Sequence, residues 1–581
     1  MRMTSYLALA AALLPAAVPA AAGTLHFTAG SAEIRTADPE GHLIWRVTAR
    51  GSVTERLRTQ PDGSTVTGAG HLLDPFGGVV ARQHADGRAV SPGSRLSDDC
   101  PYWDELAEIT PPPSGFSDAH APLLVDSMGN VWVIDTRIAS GKYKLLVRQS
   151  IGHTGEWGDL EIVADSTKYV SQPQGAIDGD DNVTIVYRDI SSGYHLYAIR
   201  YEPGSGWGEL TQFYSTSTFF QAIEVAADAD GDVVTLFDPS PGSIPQVWSV
   251  YRDADTGEWT SPDQISAPGY NTLLPTLTQN RDGTGLYAVY LNRGGGPVGL
   301  YGHRWDAAAN AWGPAEYLPG SETAGFSFAG PVSRFPMTVG DDGEATVPWQ
   351  AVVEVMPDVY EFTVYANRTA GGSWQPAHEL LPPGPDDTDI ENFAYADSSG
   401  GDAMVVLTRY ESGSNRVWAF RYSDATGWQE AENPFTSTLP LSTRIRCIFY
   451  QGARAMASFY GPQHGINQLT SLRYTGTGWL PDLVDIPGEY IAYYQDPIAD
   501  GGEALLVFEA EKSGNQGIKA SWLRNKTGDI DCDGVTDVTD MLALLGAWGP
   551  CPGPPPDCPE DLNGDGSVDV LDLLMLLAAW D

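Results

Sequence analysis

The chain has 581 residues and a formal net charge of −42, enough length for one large domain and a small one. That acidity excludes duplex nucleic acid and anionic membrane surface as partners, because both require a cationic face. With 64 Gly, 42 Pro and 17 Trp, and no long helical periodicity in the interior, the composition points to an all-β body rich in turns.

Residues 1–22 read as a secretory signal peptide. Met1-Arg-Met-Thr-Ser-Tyr6 is short and basic, Leu7-Ala-Leu-Ala-Ala-Ala-Leu-Leu14 is apolar but too short to span a bilayer, and Ala20-Ala-Ala22 suits a peptidase. The expectation is a secreted, extracellular protein, associated with the cell surface or free, with no transmembrane segment. Residues 23–98 read as an N-terminal β segment. Ala32-Glu-Ile-Arg35, Leu43-Ile-Trp-Arg-Val47 and Gly78-Val-Val-Ala81 have strand character, and are expected to add to the closure of the array that follows or to cap one of its faces.

From 99 to 525 a unit of about 50–60 residues recurs, marked by an Arg and a Trp a few residues later. The pairs are Arg148/Trp157, Arg200/Trp207, Arg252/Trp259, Arg304/Trp312, Arg368/Trp374, Arg421/Trp428 and Arg473/Trp479. Each unit carries a Gly turn (Met128-Gly-Asn130, Asp230-Gly-Asp232, Asp342-Gly343), then a strongly apolar strand (Val131–Ile134, Val183–Tyr187, Val233–Phe237), then a strand ending in the Arg. Gly supplies the positive φ that such hairpins need. Four antiparallel strands at this period predict an all-β propeller of eight blades, with seven as the alternative. Trp103 has no matching Arg before it in the repeat series and Arg524 has no Trp shortly after it, so the N-terminal side is expected to supply the outer strand of the last blade. An Arg present in every unit is expected to be structural. Asp253-Ala-Asp255-Thr-Gly257-Glu-Trp259 and Asp424-Ala-Thr-Gly427-Trp428 resemble, one residue short, the Asp-box turns of sialidase-like propellers.

A propeller offers a ligand the mouth of its central channel. The segments leading into the first strands contribute Asp118, His120, Gln172, Gln174, Gln221, Arg334, Glu391, Arg444, Tyr494 and Asp496; the ends of the second strands add Asp135, Arg137, Arg188, Asp189, Arg293 and Arg409. Arg334 and Arg444 are candidates to grip a sugar carboxylate. Glu391 with Asp118 or Asp496 is a candidate acid/base pair for glycosidic cleavage, and Tyr494 matches the nucleophile that a sialidase resemblance implies. His120, Gln172, Gln174 and Gln221 are candidate saccharide contacts. The alternative is a polar lining of a water-filled channel. His153, His195 and His303 stand alone and read as surface or packed histidines.

Residues 526–581 hold two copies of one acidic loop, 32 residues apart. Asp529, Asp531, Asp533 and Asp540 in the first copy match Asp561, Asn563, Asp565 and Asp572 in the second, with the backbone carbonyls of Val535 and Ser567 at position 7 and Gly at position 6. That set suits two Ca²⁺ ions. No helix precedes either loop, and an apolar helix follows each. Loop then helix, duplicated, with Asp at position 12, resembles a type I dockerin domain. The resemblance implies docking to a cohesin-like domain and a role in polysaccharide breakdown. Two function classes stand: a carbohydrate-active hydrolase or lyase carrying this module, or a non-catalytic propeller that binds glycan or protein. Cys447 reads as a buried thiol, while Cys532, Cys551 and Cys558 lie in or beside the C-terminal module, where secretion permits disulfides.

Overall fold

In the computed structural model, side chains are described from residue 106 onward except in a set of loops and strand segments, among them 111–116, 325–334, 383–389, 438–444, 531–535 and 552–559. Between His26 and Trp103 only strands are placed; residues 1–25, and with them the expected signal peptide, lie outside the described residues. The chain forms two compact units, 103–524 and 1–102 with 525–581.

The larger unit is an eight-bladed β-propeller, so the count of eight holds over seven. Blades 1 to 7 span 117–166, 169–216, 223–264, 272–317, 338–381, 390–437 and 446–483, and blade 8 joins 491–525 to 101–110. Blade 2 shows the local logic. Asp178 Oδ1 accepts the backbone N–H of Asp180 (3.1 Å) and Asn182 (3.0 Å), a side-chain-mimicked turn that reverses the chain into the second strand. Asp126 and Asp228 repeat it in blades 1 and 3. The second strand, Val183–Ile190, is buried on both faces because a neighbouring blade covers each side. Accordingly the core is divided. Each gap between blades holds its own apolar cluster, such as Trp132, Ile134, Leu145, Ile185 and Tyr187 between blades 1 and 2.

The repeated arginine joins neighbours. Arg368 of blade 5 donates to Thr346 Oγ1 (2.7 Å), Asp342 (2.9 Å) and the Gly401 carbonyl of blade 6 (3.0 Å), and lies 4.6 Å over the Tyr422 ring. Arg421 of blade 6 donates to the Tyr474 hydroxyl of blade 7. Arg148 of blade 1 donates to the carbonyls of Glu108 and Ile109 in blade 8 (2.5 and 3.1 Å).

The ring closes non-covalently. Pro101–Trp103 and Ala107–Thr110 both pair with Asn515–Asn525, in the register Ala107↔Ala520, Glu108↔Lys519 and Thr110↔Ile518. Ile109 is fully buried against Val131, Val133, Leu505, Val507 and Ile518, and Lys519 Nζ lies 2.9 Å from Glu108. The earlier strands do not add to this closure. Ile34–Ala37, Leu43–Thr48 and their partners make a four-stranded sheet, and Val79–Gln83 belongs to a separate five-stranded one. The closing edge of blade 8 is already taken by 101–110, which lies nearer in sequence.

In the smaller unit the C-terminal segment forms helices α1 (Val538–Gly546) and α2 (Val570–Ala578). Each starts in a capping box, Asp537 with Asp540 and Asp569 with Asp572, which satisfies the first free amides reciprocally. Leu544, Leu576, Val568 and Ile530 form its core. Among the described residues no helix is long and apolar enough to cross a membrane.

Candidate functional site

Antiparallel pairing brings the start of each first strand and the end of each second strand to the same end of the ring. Four first strands carry an extra residue there. Ser171↔Arg188 is followed by Gln174↔Val186, Leu273↔Leu291 by Thr276↔Val289, Ile390↔Arg409 by Asn392↔Thr408, and Tyr493↔Glu509 by Gln495↔Phe508. The unmatched positions include Gln172, Leu274, Glu391 and Tyr494. Such bulges re-aim a side chain. Gln172 (φ 51°) and Leu274 (φ 58°) hold a left-handed backbone, each just before a proline. A non-glycine residue in that region stores about 1–3 kcal/mol of strain.

The second strands change character at this end. Where they are otherwise apolar, they finish in buried polar groups: Asp135-Thr-Arg137, Arg188-Asp189, Asp238, Asn292, Gln350, Thr408-Arg409 and Glu509. Some are locked into the scaffold. Asp135 pairs with Arg137, and Thr110 Oγ1 donates to Asp135 at 3.2 Å, which ties blade 8 to blade 1. Burial outweighs Arg137 here and raises the Asp135 carboxyl. Arg188 donates to Ser171 Oγ (3.2 Å) and the Phe220 carbonyl (2.6 Å), under the rings of Phe219 and Phe220. Arg409 donates to the Pro382 carbonyl (2.9 Å), and burial holds Arg293 below the usual arginine range.

Others are not. Thr136 Oγ1, Gln172 Oε1, Asp189 Oδ1, Thr408 Oγ1 and both polar atoms of Gln350 are buried with no hydrogen-bond partner among the described residues. Each such atom costs about 1–3 kcal/mol unless a ligand or water meets it. Asp189, 4% exposed, sits directly across the ladder from His195, whose Nδ1 is likewise buried and unmet. On the same face Tyr187 stacks on Tyr197 at 5.7 Å, and burial, then Asp189, then Tyr197 push the Tyr187 phenol up. His195 is therefore not the isolated histidine that its sequence neighbours suggest; only the register places it beside Asp189.

The remaining candidates divide. Asp118 pairs with Thr136 and Asp496 with Val507 on strands at this end, and Gln174 lies one step inside the blade 2 bulge. The side chains of Asp118, Glu391, Tyr494 and Asp496, and the residues His120, Gln221, Arg334 and Arg444, lie outside the described residues.

In the C-terminal module Asp529, Asp531, Asp533, Val535, Asn563 and Asp565 also lie outside the described residues. Among the described residues no cluster of three or more metal-ligating side chains is present. Asp540 and Asp572 are fully buried. Asp540 accepts the amides of Ile530 (2.6 Å) and Asp537 (2.8 Å), and Asp572 that of Asp569 (2.7 Å). Asp561 and Ser567 are half-buried. Residues 527–581 contain 12 Asp and Glu and no Lys, Arg or His. Cys551 is disulfide-bonded to a residue outside the described ones; Cys447 is a free buried thiol, as expected, and burial pushes it up.

Compared with known protein families and curated proteins, the chain matches none. Solved structures to which it is similar include the polysaccharide lyase Uly1 (11% identity over 59% of this chain and 88% of that one, TM-score 0.38) and the Dos1 propeller (8%, 71% and 95%, 0.40). The Hadza microbial sialidase Hz136 is a third (12%, 66% and 73%, 0.30).

Proposed function

We propose that this is a secreted glycan-binding propeller, carried on a calcium-dependent docking module. The observation that supports glycan binding is the collar of buried, unmet polar atoms at the bulged end of the ring: Thr136, Gln172, Asp189 and Thr408 offer hydroxyl, amide and carboxylate groups to a hydroxyl-rich ligand. Gln172, Glu391 and Tyr494 stand at backbone positions that the bulges leave unmatched on the partner strand. Arg334 and Arg444 would serve an acidic sugar. The two loops of 526–581 would each hold one Ca²⁺, through Asp529, Asp531, Asp533, the Val535 carbonyl and Asp540, and through Asp561, Asn563, Asp565, the Ser567 carbonyl and Asp572. The helices expose matching apolar residues 32 apart, Val538/Val570, Leu542/Leu574, Leu545/Leu577 and Trp548/Trp580, a face suited to a cohesin-like partner.

A second reading, glycan cleavage at the same end, is favoured by the Asp189–His195 pair across the ladder beside Tyr187 and Tyr197, a carboxylate and an imidazole of the kinds used in general acid–base catalysis. Calorimetry against neutral and acidic polysaccharides, with assays for reducing ends and unsaturated products, separates the two. Binding that is weakened in Gln172→Leu and Arg334→Ala, with no product, supports the first reading. Product formation lost in His195→Gln supports the second. No binding to any glycan removes both.

A further inference from the structure

In blade 2 the repeated arginine stands opposite the second residue of the second strand, Thr184↔Arg200. Blades 4, 5 and 6 repeat this with Tyr287↔Arg304, Thr346↔Arg368 and Met404↔Arg421, and in blade 7 Arg473 stands opposite Met456, the third residue of Arg454–Gln463. Blades 1 and 3 differ: in blade 1 the pair is Val133↔Arg148, on the face toward blade 8. In blade 3 the register is Val233↔Arg252 and Val234↔Tyr251. A one-residue shift turns a side chain to the other face of the sheet. Thr184 shares its face with Val186, which packs on Phe220 and Phe237 of blade 3. Val233 packs back on Ala176 of blade 2. Arg200 and Arg252 therefore enter the same gap, between blades 2 and 3, from opposite walls.

One of them is committed. Arg200 donates to Asp178 (2.6 Å) and to Thr184 Oγ1 (2.9 Å). Arg252 has no hydrogen-bond or ion-pair partner for its guanidinium among the described residues. Asp228, the blade 3 counterpart of Asp178, instead accepts the indole N–H of Trp305 at 2.8 Å. Burial first, then Arg200, holds Arg252 below the usual arginine range. The gap contains a cavity of about 310 Å³ lined by Arg200, Arg252, Glu202, Glu209, Thr211 and Trp259. That size suits one small ligand unit. Trp259 is held rigid by stacking on Phe213, ring centres 4.0 Å apart and 9° from parallel.

We infer that this cavity is a peripheral subsite for a carboxylate-bearing sugar, with Arg252 as its anchor. A planar guanidinium matches a carboxylate bidentately. In a chain of net charge −42 an anion is held only where positive groups converge. Glu202, 3.8 Å from Arg200, accepts sugar hydroxyls and disfavours a dianion such as phosphate. Trp259 presents an apolar wall to the C–H face of a ring. The subsite lies at the turn end of the blades, opposite the bulged end, and goes beyond the glycan reading of that end.

The test uses the full chain carrying Gln172→Leu and Arg444→Ala, which disable the bulged end. In that background trigalacturonate binding is measured by calorimetry, with maltotriose and inorganic phosphate as comparators. Arg252→Ala is expected to weaken trigalacturonate binding tenfold or more, the scale of one charge-assisted pair, and to leave the thermal midpoint nearly unchanged, since no guanidinium hydrogen bond or ion pair among the described residues is lost. Arg200→Ala should lower that midpoint. The inference is overturned if trigalacturonate fails to bind the background protein, if Arg252→Ala binds it equally, if maltotriose or phosphate binds as tightly, or if Arg252→Ala destabilises the fold as Arg200→Ala does. Trigalacturonate binding lost in the background but present in the unaltered chain would refute this subsite while leaving the bulged-end proposal standing.

Discussion

Ile109→Ala tests how the ring is closed. The closing strand 107–110 reaches blade 8 from the other end of the array, and its contribution has two separable parts. Ile109 is fully buried between blades 8 and 1 among Val131, Val133, Leu505, Val507 and Ile518. Truncating a buried branched side chain in a cluster that cannot collapse costs about 2–5 kcal/mol. Its neighbour Glu108 points outward, half-exposed, to Lys519 at 2.9 Å. Glu108→Ala removes the half-exposed partner of the buried Lys519 and should cost less, about 1–2 kcal/mol. Urea unfolding of the full chain, followed by fluorescence, should show a clearly lower midpoint for Ile109→Ala and a smaller decrease for Glu108→Ala. Equal midpoints for Ile109→Ala and the unaltered chain, or a larger effect from Glu108→Ala, would refute a burial-driven closure. Deleting 23–110 removes the strand altogether and leaves an open edge, so that protein should aggregate, whereas deleting 528–581 should be tolerated.

Hydrogen exchange of 526–581 in the full chain should slow on adding Ca²⁺ and quicken with chelator, and Asp540→Asn with Asp572→Asn should abolish the difference; exchange indifferent to calcium would refute the metal reading. His303 donates from Nδ1 to the Gly313 carbonyl (2.9 Å) and accepts at Nε2 from the Tyr290 hydroxyl (3.2 Å), and burial holds its imidazole below its ordinary value. The unfolded chain then binds the extra proton first, so stability should fall as pH drops below about 6.5, by at most about 1.4 kcal/mol per pH unit; His303→Gln should flatten that slope in pH-dependent denaturation. Gln350→Leu should leave the thermal midpoint unchanged or raised, because its buried amide has no partner among the described residues; a fall of several degrees would show that the amide is satisfied. Arg368→Met should destabilise by about 3 kcal/mol, since it removes the ion pair with Asp342 and the hydrogen bond to the Gly401 carbonyl of the next blade.

Much of the architecture was legible along the chain, for local reasons. Turn chemistry at Asp126, Asp178 and Asp228 and the apolar second strands repeat with a period, and a period is visible without coordinates. The unmatched Trp103 and Arg524 predicted the closure for the same reason. The strands of 23–98 had strand character, but which sheet they join depends on which edges are already filled, and 101–110 fills the one in question. The candidate site was half legible. Residues at strand starts and ends could be named, but whether Gln172, Glu391 and Tyr494 fall at bulges is a property of pairing. The identical Arg–Trp signature in blades 2 and 3 hides the register difference that turns Arg252 toward Arg200. His195 gains Asp189 as a neighbour only across the ladder. One residue of register decides which face a side chain occupies, and that depends on the partner strand, so these pairings belong to the tertiary structure alone.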